Sequence, residues 1–384
     1  MSKARNLSLL SAVEAGATAD QTKADLNAIG VSGGRKNIII NGGMQVAQRG
    51  TSSAGLGADA TTYLLDRWAF GTGGTAGRLT MSQDSDGPAG FANSLKLDCT
   101  TADTSIAAGE QSYLIYKFEG QDLQQLKKGT SSSESMTLSF YVKGNAAATY
   151  TAEFYDADNN RHNGQTFSVT TSWNKVTLTY VPDTTGAYND DNALSLYLFI
   201  WIHTGTTMTS GTFASNTWSA SASNTRVSAS NTSFFDSTSR TLNITGVQLE
   251  LGSVATDFEH RSYAENLLAC QRYYEIIADG SRANDSPYFG VGQGVKSDQI
   301  NWFYDFKAEK RATFTLIVPT VSNGYAAKTH STTKSHSTLG FTSVHQSLHS
   351  IMGYMTNIGG VTEQSCWQMQ LNSASAHIAV SAEL

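Results

Sequence analysis

Five consecutive residues, Asp156-Ala157-Asp158-Asn159-Asn160, place side-chain oxygens at the first, third and fifth positions of a calcium loop. Such a loop needs a glycine at its sixth position for the sharp turn and a bidentate glutamate at its twelfth, and Arg161 and Phe167 stand there instead. The stretch is therefore expected to be a hairpin turn. Four histidines cluster late in the chain: His330, His336, His345 and His349. On a helix, His345 and His349 would share a face and could grip one metal ion, but Gly340, Gly353 and the surrounding Ser and Thr argue against a helix. These four are expected to be solvated loop side chains, candidates for glycan or receptor contact and not metal ligands.

Aromatic residues supply the other candidate chemistry, because a ring pairs an apolar face with a polar edge. Asp66-Arg67-Trp68 would suit a sugar platform, but its place in an early apolar run favours core packing. Trp201 lies in the apolar run YLFIWI and is also expected in the core. Trp218 lies in a polar loop and is the fifth candidate for glycan or receptor contact. Cys99, Cys270 and Cys366 are odd in number and far apart, so they read as buried small apolar residues, not a disulfide framework or zinc site. No G-x-S-x-G, P-loop, H-E-x-x-H or C-x-x-C occurs, so no catalytic residue, metal or cofactor is expected. A pair of glycosidase carboxylates need not be local in sequence, and that chemistry stays open.

Charged residues make up only 15% of the 384, the net charge is -6, and no basic stripe is present; a nucleic-acid partner is not expected. No stretch approaches the roughly 18 apolar residues of a membrane span, so no membrane insertion is expected. MSKARNLSLLSAVEAGATAD lacks a continuous apolar core and is read as carrying no export signal. Abundant Gly, Ser and Thr with only four Pro fit short strands and many polar turns.

The elements follow from alternation. Strands are expected at 37–44, 63–70, 94–99, 113–118, 136–142, 150–155, 166–169, 175–181, 194–202 and 242–251. In the last, Val247, Leu249 and Leu251 alternate with Gln248 and Glu250, as in a half-buried strand. Residues 204–237, rich in Ser, Thr, Ala, Gly and Asn, read as a flexible loop or one that packs on a neighbouring subunit or a ligand. After Gly252 a helix is expected over 263–274, with Leu267, Cys270 and Tyr274 on one face and Leu268 beside them. Strands return at 301–306, 314–318, 365–370 and 377–384, around a long Ser/Thr/His loop at 328–350. The expected architecture is all-β: an antiparallel jelly-roll sandwich over 36–260, then a short helix and a smaller C-terminal antiparallel β domain over 261–384. Residues 1–35 cannot bury a core alone and read as an attachment segment.

Several segments carry a family resemblance: NIIINGGMQVAQRGTS at 37–52, YLLDRW at 63–68, MTLSFYVKG at 136–144, and ITGVQLELGSVATDFE at 244–259. This part resembles the carbohydrate-binding, galactose-binding-like jelly rolls of bacteriophage tail-fibre proteins. LLACQRYYE at 267–275, FKAEKRATFTLIV at 306–318 and the terminal SAEL are similar to the distal module of such fibres. The resemblance implies a non-enzymatic virion component made in the host cytoplasm. It implies a homotrimer, joined to other virion proteins through 1–35 and touching a host glycan or receptor. YLFIWI, apolar on both faces, gives the trimer a physical motive. A capsid decoration or head fibre and a glycan-cleaving tailspike enzyme are the alternatives.

Overall fold

The computed structural model describes residues 36–282 and 288–384, with the side chains of all but 282 and 342–345. The attachment segment expected at 1–35 lies outside the described residues. The chain divides into two compact units between Tyr263 and Ala264.

The first unit holds β1 (Ser52–Leu56), β2 (Thr61–Tyr63), β3 (Ala69–Gly73), β4 (Arg78–Asp84), β5 (Ser94–Thr101), β6 (Gln111–Glu119), β7 (Met136–Gly144), β8 (Ala148–Asp156), β9 (Arg161–Val169), β10 (Asn174–Tyr180), β11 (Leu194–Thr204), β12 (Ser219–Ala220) and β13 (Thr241–Leu251). They form an antiparallel jelly-roll sandwich. One sheet runs β1-β4-β5-β13-β7-β10 and the other β12-β9-β8-β11-β6-β3-β2. Alternation decides which side chains meet between them. Leu138, Phe140 and Val142 of β7 and Leu196, Leu198, Ile200 and Ile202 of β11 point inward and are buried. Each such side chain contributes about 1.5–3 kcal/mol of burial.

Three expectations in this unit need correction. Residues 37–44 form turns, not a strand, because asparagine side chains satisfy the backbone there. Asn37 Oδ1 accepts from Ile39 N and Leu249 N, and Asn41 Oδ1 accepts from Gln45 N and Val46 N. The expected strand at 63–70 is split into β2 and β3 by a turn that places Arg67 at φ 72°. Within it Asp66, Arg67 and Trp68 are buried, and Asp66 accepts from Gln48 N at 2.7 Å and Gln48 Nε2 at 2.8 Å. Finally, β13 is a central strand buried on both faces. Gln248 and Glu250 are covered by the link that follows: Glu259 N donates to Gln248 Oε1 at 2.8 Å and Thr256 Oγ1 to Glu250 Oε2 at 2.7 Å.

Residues 204–237 are also not a flexible loop. They contain α1 (Thr206–Thr209), β12 and two short 3-10 turns, and Val227, Phe234 and Phe235 are buried. Asp156–Asn160 is the expected hairpin turn between β8 and β9, with Asn160 at φ 51° and Asn159 N donating to Asp156 Oδ1 at 3.1 Å.

The second unit opens with α2 (Tyr263–Gln271), shorter than expected, since Tyr274 already belongs to a strand. Its buried residues are Asn266 and Cys270, whereas Leu268 is exposed. Strands β14 (Tyr274–Asp279), β15 (Tyr288–Lys296), β16 (Gln299–Asp305), β17 (Thr315–Ile317), β18 (Tyr325–Lys328), β19 (Thr333–His336), β20 (Gly340–Gln346), β21 (Ser350–Met355), β22 (Cys366–Leu371) and β23 (His377–Ser381) follow. They build a sheet β14-β23-β17 and a sheet β19-β18-β22-β15-β16-β21-β20. Trp302, Tyr325, Met355, Met369 and Ile378 lie in the core. The Ser/Thr/His loop expected at 328–350 is therefore largely strands β19 and β20. Of the cysteines, Cys99 and Cys270 are buried, but Cys366 is exposed and does not fit the expected burial. Among the described residues no helix is long and apolar enough to cross a membrane.

Candidate functional site

The seven-stranded sheet of the first unit has two faces, and the outward one is aromatic. On β11, Tyr197, Phe199 and Trp201 alternate with the core residues and so share that outer face. Their rings stack along the strand, Tyr197 on Phe199 at 5.2 Å and Phe199 on Trp201 at 5.3 Å between centroids. Strand register adds neighbours. Tyr197 lies opposite Tyr155 of β8 and Lys117 of β6, and Trp201 lies opposite Tyr113 of β6. Tyr113 meets both Phe199 and Trp201 edge-on at 4.9 Å. It lies flat over Gly71 of β3, where a Cβ would sit 2.3 Å from its ring. Tyr63 of β2 completes the group, with the Lys117 ammonium 5.9 Å from its ring and 6.0 Å from that of Tyr197.

Exposure divides this cluster. Phe199 and Trp201 are 7% and 1% exposed. Tyr63, Tyr113, Tyr155, Tyr197 and Lys117 are half-buried and reach solvent. Burial pushes the Tyr197 and Tyr113 phenols above their ordinary value, against the pull of Arg226. At neutral pH both keep the proton and offer a hydroxyl that donates and accepts. The open part is thus a patch of four tyrosines and one lysine on the sheet face. It suits a flat ligand with apolar C–H faces and many hydroxyls.

What covers Phe199 and Trp201 is the segment 205–227. Arg226 lies 4.8 Å from the Tyr155 ring centroid and 5.1 Å from those of Phe199 and Trp201. Its guanidinium forks onto the fully buried Glu153, Nε to Oε1 at 2.8 Å and Nη2 to Oε2 at 2.9 Å. Trp201 Nε1 donates to the same Oε2 at 2.8 Å, and His162 Nδ1 lies 3.2 Å from Oε1. Two of the three outer-face residues of YLFIWI, Phe199 and Trp201, are thus covered by their own chain, and Tyr197 reaches solvent. For those two no neighbouring subunit is needed.

A buried polar cluster lies at the end of β11. His203 Nε2 is 2.9 Å from Glu110 Oε2, and Nδ1 is 2.8 Å from Ser233 Oγ. The order serine, histidine, carboxylate is that of an activated nucleophile. Here, however, His203 is fully buried and packed edge-on against Phe235, and Ser233 Oγ accepts from Phe235 N at 3.1 Å as a turn cap. The cluster fastens residues 233–235 to β11. Asp103, Glu110 and His203 also form the one group of three metal-competent side chains among the described residues, with ligand atoms within 4.8 Å of one another. Asp103 Oδ2 already accepts from Thr75 Oγ1 and Ala76 N, each at 2.8 Å, and Glu110 Oε1 accepts from Ala107 N at 2.9 Å.

The candidates named from sequence do not gather into one site. Trp218 donates Nε1 to Val181 O at 2.8 Å. It walls a shallow surface depression with Leu126, Lys128, Tyr188 and Asp183. Beneath it a buried ion network joins Lys128 Nζ to Asp156 at 2.7 Å and to Asp183 at 3.2 Å, and Arg161 Nε to Asp183 at 2.8 Å. His330 and His349 are exposed in turns of the second unit. His336 is half-buried on β19, not in a loop, with Nδ1 2.7 Å from Thr338 O. His345 falls on β20, and its side chain lies outside the described residues. The tyrosine patch is not among the residues named from sequence. Its signal was the Tyr-x-Phe-x-Trp alternation of 197–201, which shows a second aromatic face once the inner face is assigned to Leu196, Leu198 and Ile200.

No protein-family model matches this chain, and no curated protein matches it by sequence. Solved structures with some likeness include a family 4 carbohydrate-binding module, 13% identical over 55% of this chain and 97% of that one, with a TM-score of 0.29. A family 11 module from Clostridium thermocellum, in complex with a β-1,3-1,4-mixed-linked tetrasaccharide, is 13% identical over 55% and 98%, with a TM-score of 0.27. A xylan-binding family 22 domain from Paenibacillus barcinonensis is 12% identical over 58% and 100%, with a TM-score of 0.28. Likenesses of this size carry no argument about the site.

Proposed function

We propose that the first unit binds glycans on the outer face of its seven-stranded sheet. The carrying observation is the half-buried set Tyr63, Tyr155 and Tyr197, held with Lys117 on a sheet face opposite the core. Tyrosine suits a sugar because its ring packs on C–H faces while its hydroxyl joins the hydroxyl network, and two χ angles are all it must freeze. The proposed binding is non-catalytic, and the Ser233, His203 and Glu110 group, ordered like an activated nucleophile, is walled in. The wider reading is a bacteriophage virion appendage used in host attachment. In it the chain is a homotrimer joined to other virion proteins through residues 1–35, and single weak sites add up by multivalency. That wider reading rests on the sequence resemblance alone.

A glycan array followed by calorimetry tests the binding claim. Tyr197→Ala should weaken binding of the selected glycan about tenfold or more, the cost of losing a central aromatic contact. An array without hits, or a Tyr197→Ala protein that binds as wild type does, overturns it. Release of sugar fragments from the bound glycan would favour the enzyme reading. Light scattering on the full chain decides the trimer, and a one-chain mass rejects it.

A further inference from the structure

The segment 205–227 leaves the end of β11, turns through α1, pairs β12 with the edge strand β9, and returns across β8 and β11. It is held as a strap. Ser219 and Ala220 register with His162 and Arg161, and Gly211 N donates to Asn224 O at 2.7 Å, closing the strap on itself. Val227 is fully buried against the outer face, and Val227 N donates to Met208 O at 3.2 Å. Phe213 presses on Gly164 of β9, where a Cβ would meet its ring at 2.9 Å. The central fastening is Arg226 on Glu153, and Glu153 also holds the indole of Trp201.

The covered rings and the open rings belong to one row. Tyr197, Phe199 and Trp201 are successive outer-face residues of a single strand, stacked on one another. Without the strap all three would face solvent. With it, the guanidinium of Arg226 and the side chain of Val227 take the room that a ligand ring would occupy beside Phe199 and Trp201. A guanidinium is planar, weakly hydrated and content against aromatic faces, so it fills such a place well.

Resting on the glycan-binding reading above, we infer that the strap is the specificity element of the site. Arg226 also lies over Tyr155, at 4.8 Å, so it stops the seat at Tyr197: the site takes a short oligosaccharide segment across Tyr197, Lys117 and Tyr63 and refuses a glycan laid along the whole row. Arg226 is the stop, and Glu153 is a positioning residue that holds it there.

The test uses oligosaccharides of increasing length, cut from a glycan that the wild-type full chain binds on the array. For the wild type, affinity should rise with length and then level off early. In the double variant Glu153→Gln with Arg226→Ala, no buried carboxylate is left unpaired, and the amide that replaces the carboxylate keeps an oxygen for the Trp201 indole. This protein should gain several-fold more on the longer members than on the shortest. An unchanged length profile in the folded variant overturns the inference while leaving the binding reading intact. Absence of any wild-type binding defeats that reading instead. A second measurement needs no variant. Nuclear Overhauser contacts from bound ligand should reach the ring protons of Tyr63 and Tyr197 but not the Trp201 indole. Contacts to Trp201 in the wild type refute the inference.

Discussion

Lys310→Met should destabilise the second unit severely and leave the first untouched. Lys310 and Glu275 are both fully buried, with Nζ 2.6 Å from Oε2. Nζ also donates to Gln271 O. Glu275 accepts further from the Tyr304 hydroxyl at 2.9 Å and from Lys307 N at 3.1 Å. Burial pushes the Lys310 ammonium below its ordinary value even though Glu275 supports its charge. Desolvation is therefore the dominant effect, and a lone carboxylate in the same place has only the hydroxyl and the amide to offset it. Removing one partner of a buried pair costs about 3–5 kcal/mol. The two remaining donors place this case near the lower end.

A domain has about 5–15 kcal/mol in total, so the loss is large but leaves a folded state. Hydrogen exchange on the full chain reads it locally. Amides of β14 and β23 that exchange by opening of the whole unit should speed up about a hundredfold or more, since about 1.4 kcal/mol is a factor of ten. Amides of β11 should not change. Lys310→Met combined with Glu275→Gln should recover part of the loss, because the stranded charge is gone while Tyr304 and Lys307 keep an oxygen to donate to. Acceleration of less than about fivefold in β14 would mean that the pair contributes little net energy.

Three further outcomes follow from the first unit. Asp183 has its carboxyl held below the ordinary value of 3.8: burial alone would raise it, and the bonds from Arg161, Thr185 and Lys128 outweigh that. A depressed carboxyl stabilises the fold fully above its unfolded value and loses that contribution as pH falls through the folded value. Melting temperature should thus drop below about pH 4, and Asp183→Asn should flatten that acid limb while lowering stability at pH 7. Gly71→Ala should dislodge Tyr113, whose ring would lie 2.3 Å from the new Cβ, and reduce glycan binding with only a modest loss of melting temperature. His203→Ala should free residues 233–235 and accelerate their backbone exchange, because Glu110 and Ser233 both lose their shared partner.

The sandwich was legible wherever one face of a strand is apolar and the other polar, as in β5, β7 and β10. It was illegible where side chains replace backbone partners: Asn37 and Asn41 turn an apparent strand at 37–44 into turns. It was also illegible in β19 and β20, whose Ser, Thr, His and Gly offer too little alternation to distinguish strand from loop. The strap was hidden for a related reason. In 34 residues of mostly Ser, Thr, Ala, Gly and Asn, the anchors are single side chains, and neither Arg226 nor Val227 announces its distant partner. The motive for a trimer read from YLFIWI has the same origin. A strand apolar on both faces states that both will be covered, because exposing either is costly. It does not state by whom. In this chain the second face of β11 is covered in part by a strap that begins where the strand ends, and the uncovered remainder is tyrosine and lysine, not leucine and isoleucine. A face finished in tyrosine and lysine can stand in water and still hold a ligand, since each ring pairs an apolar body with a hydroxyl.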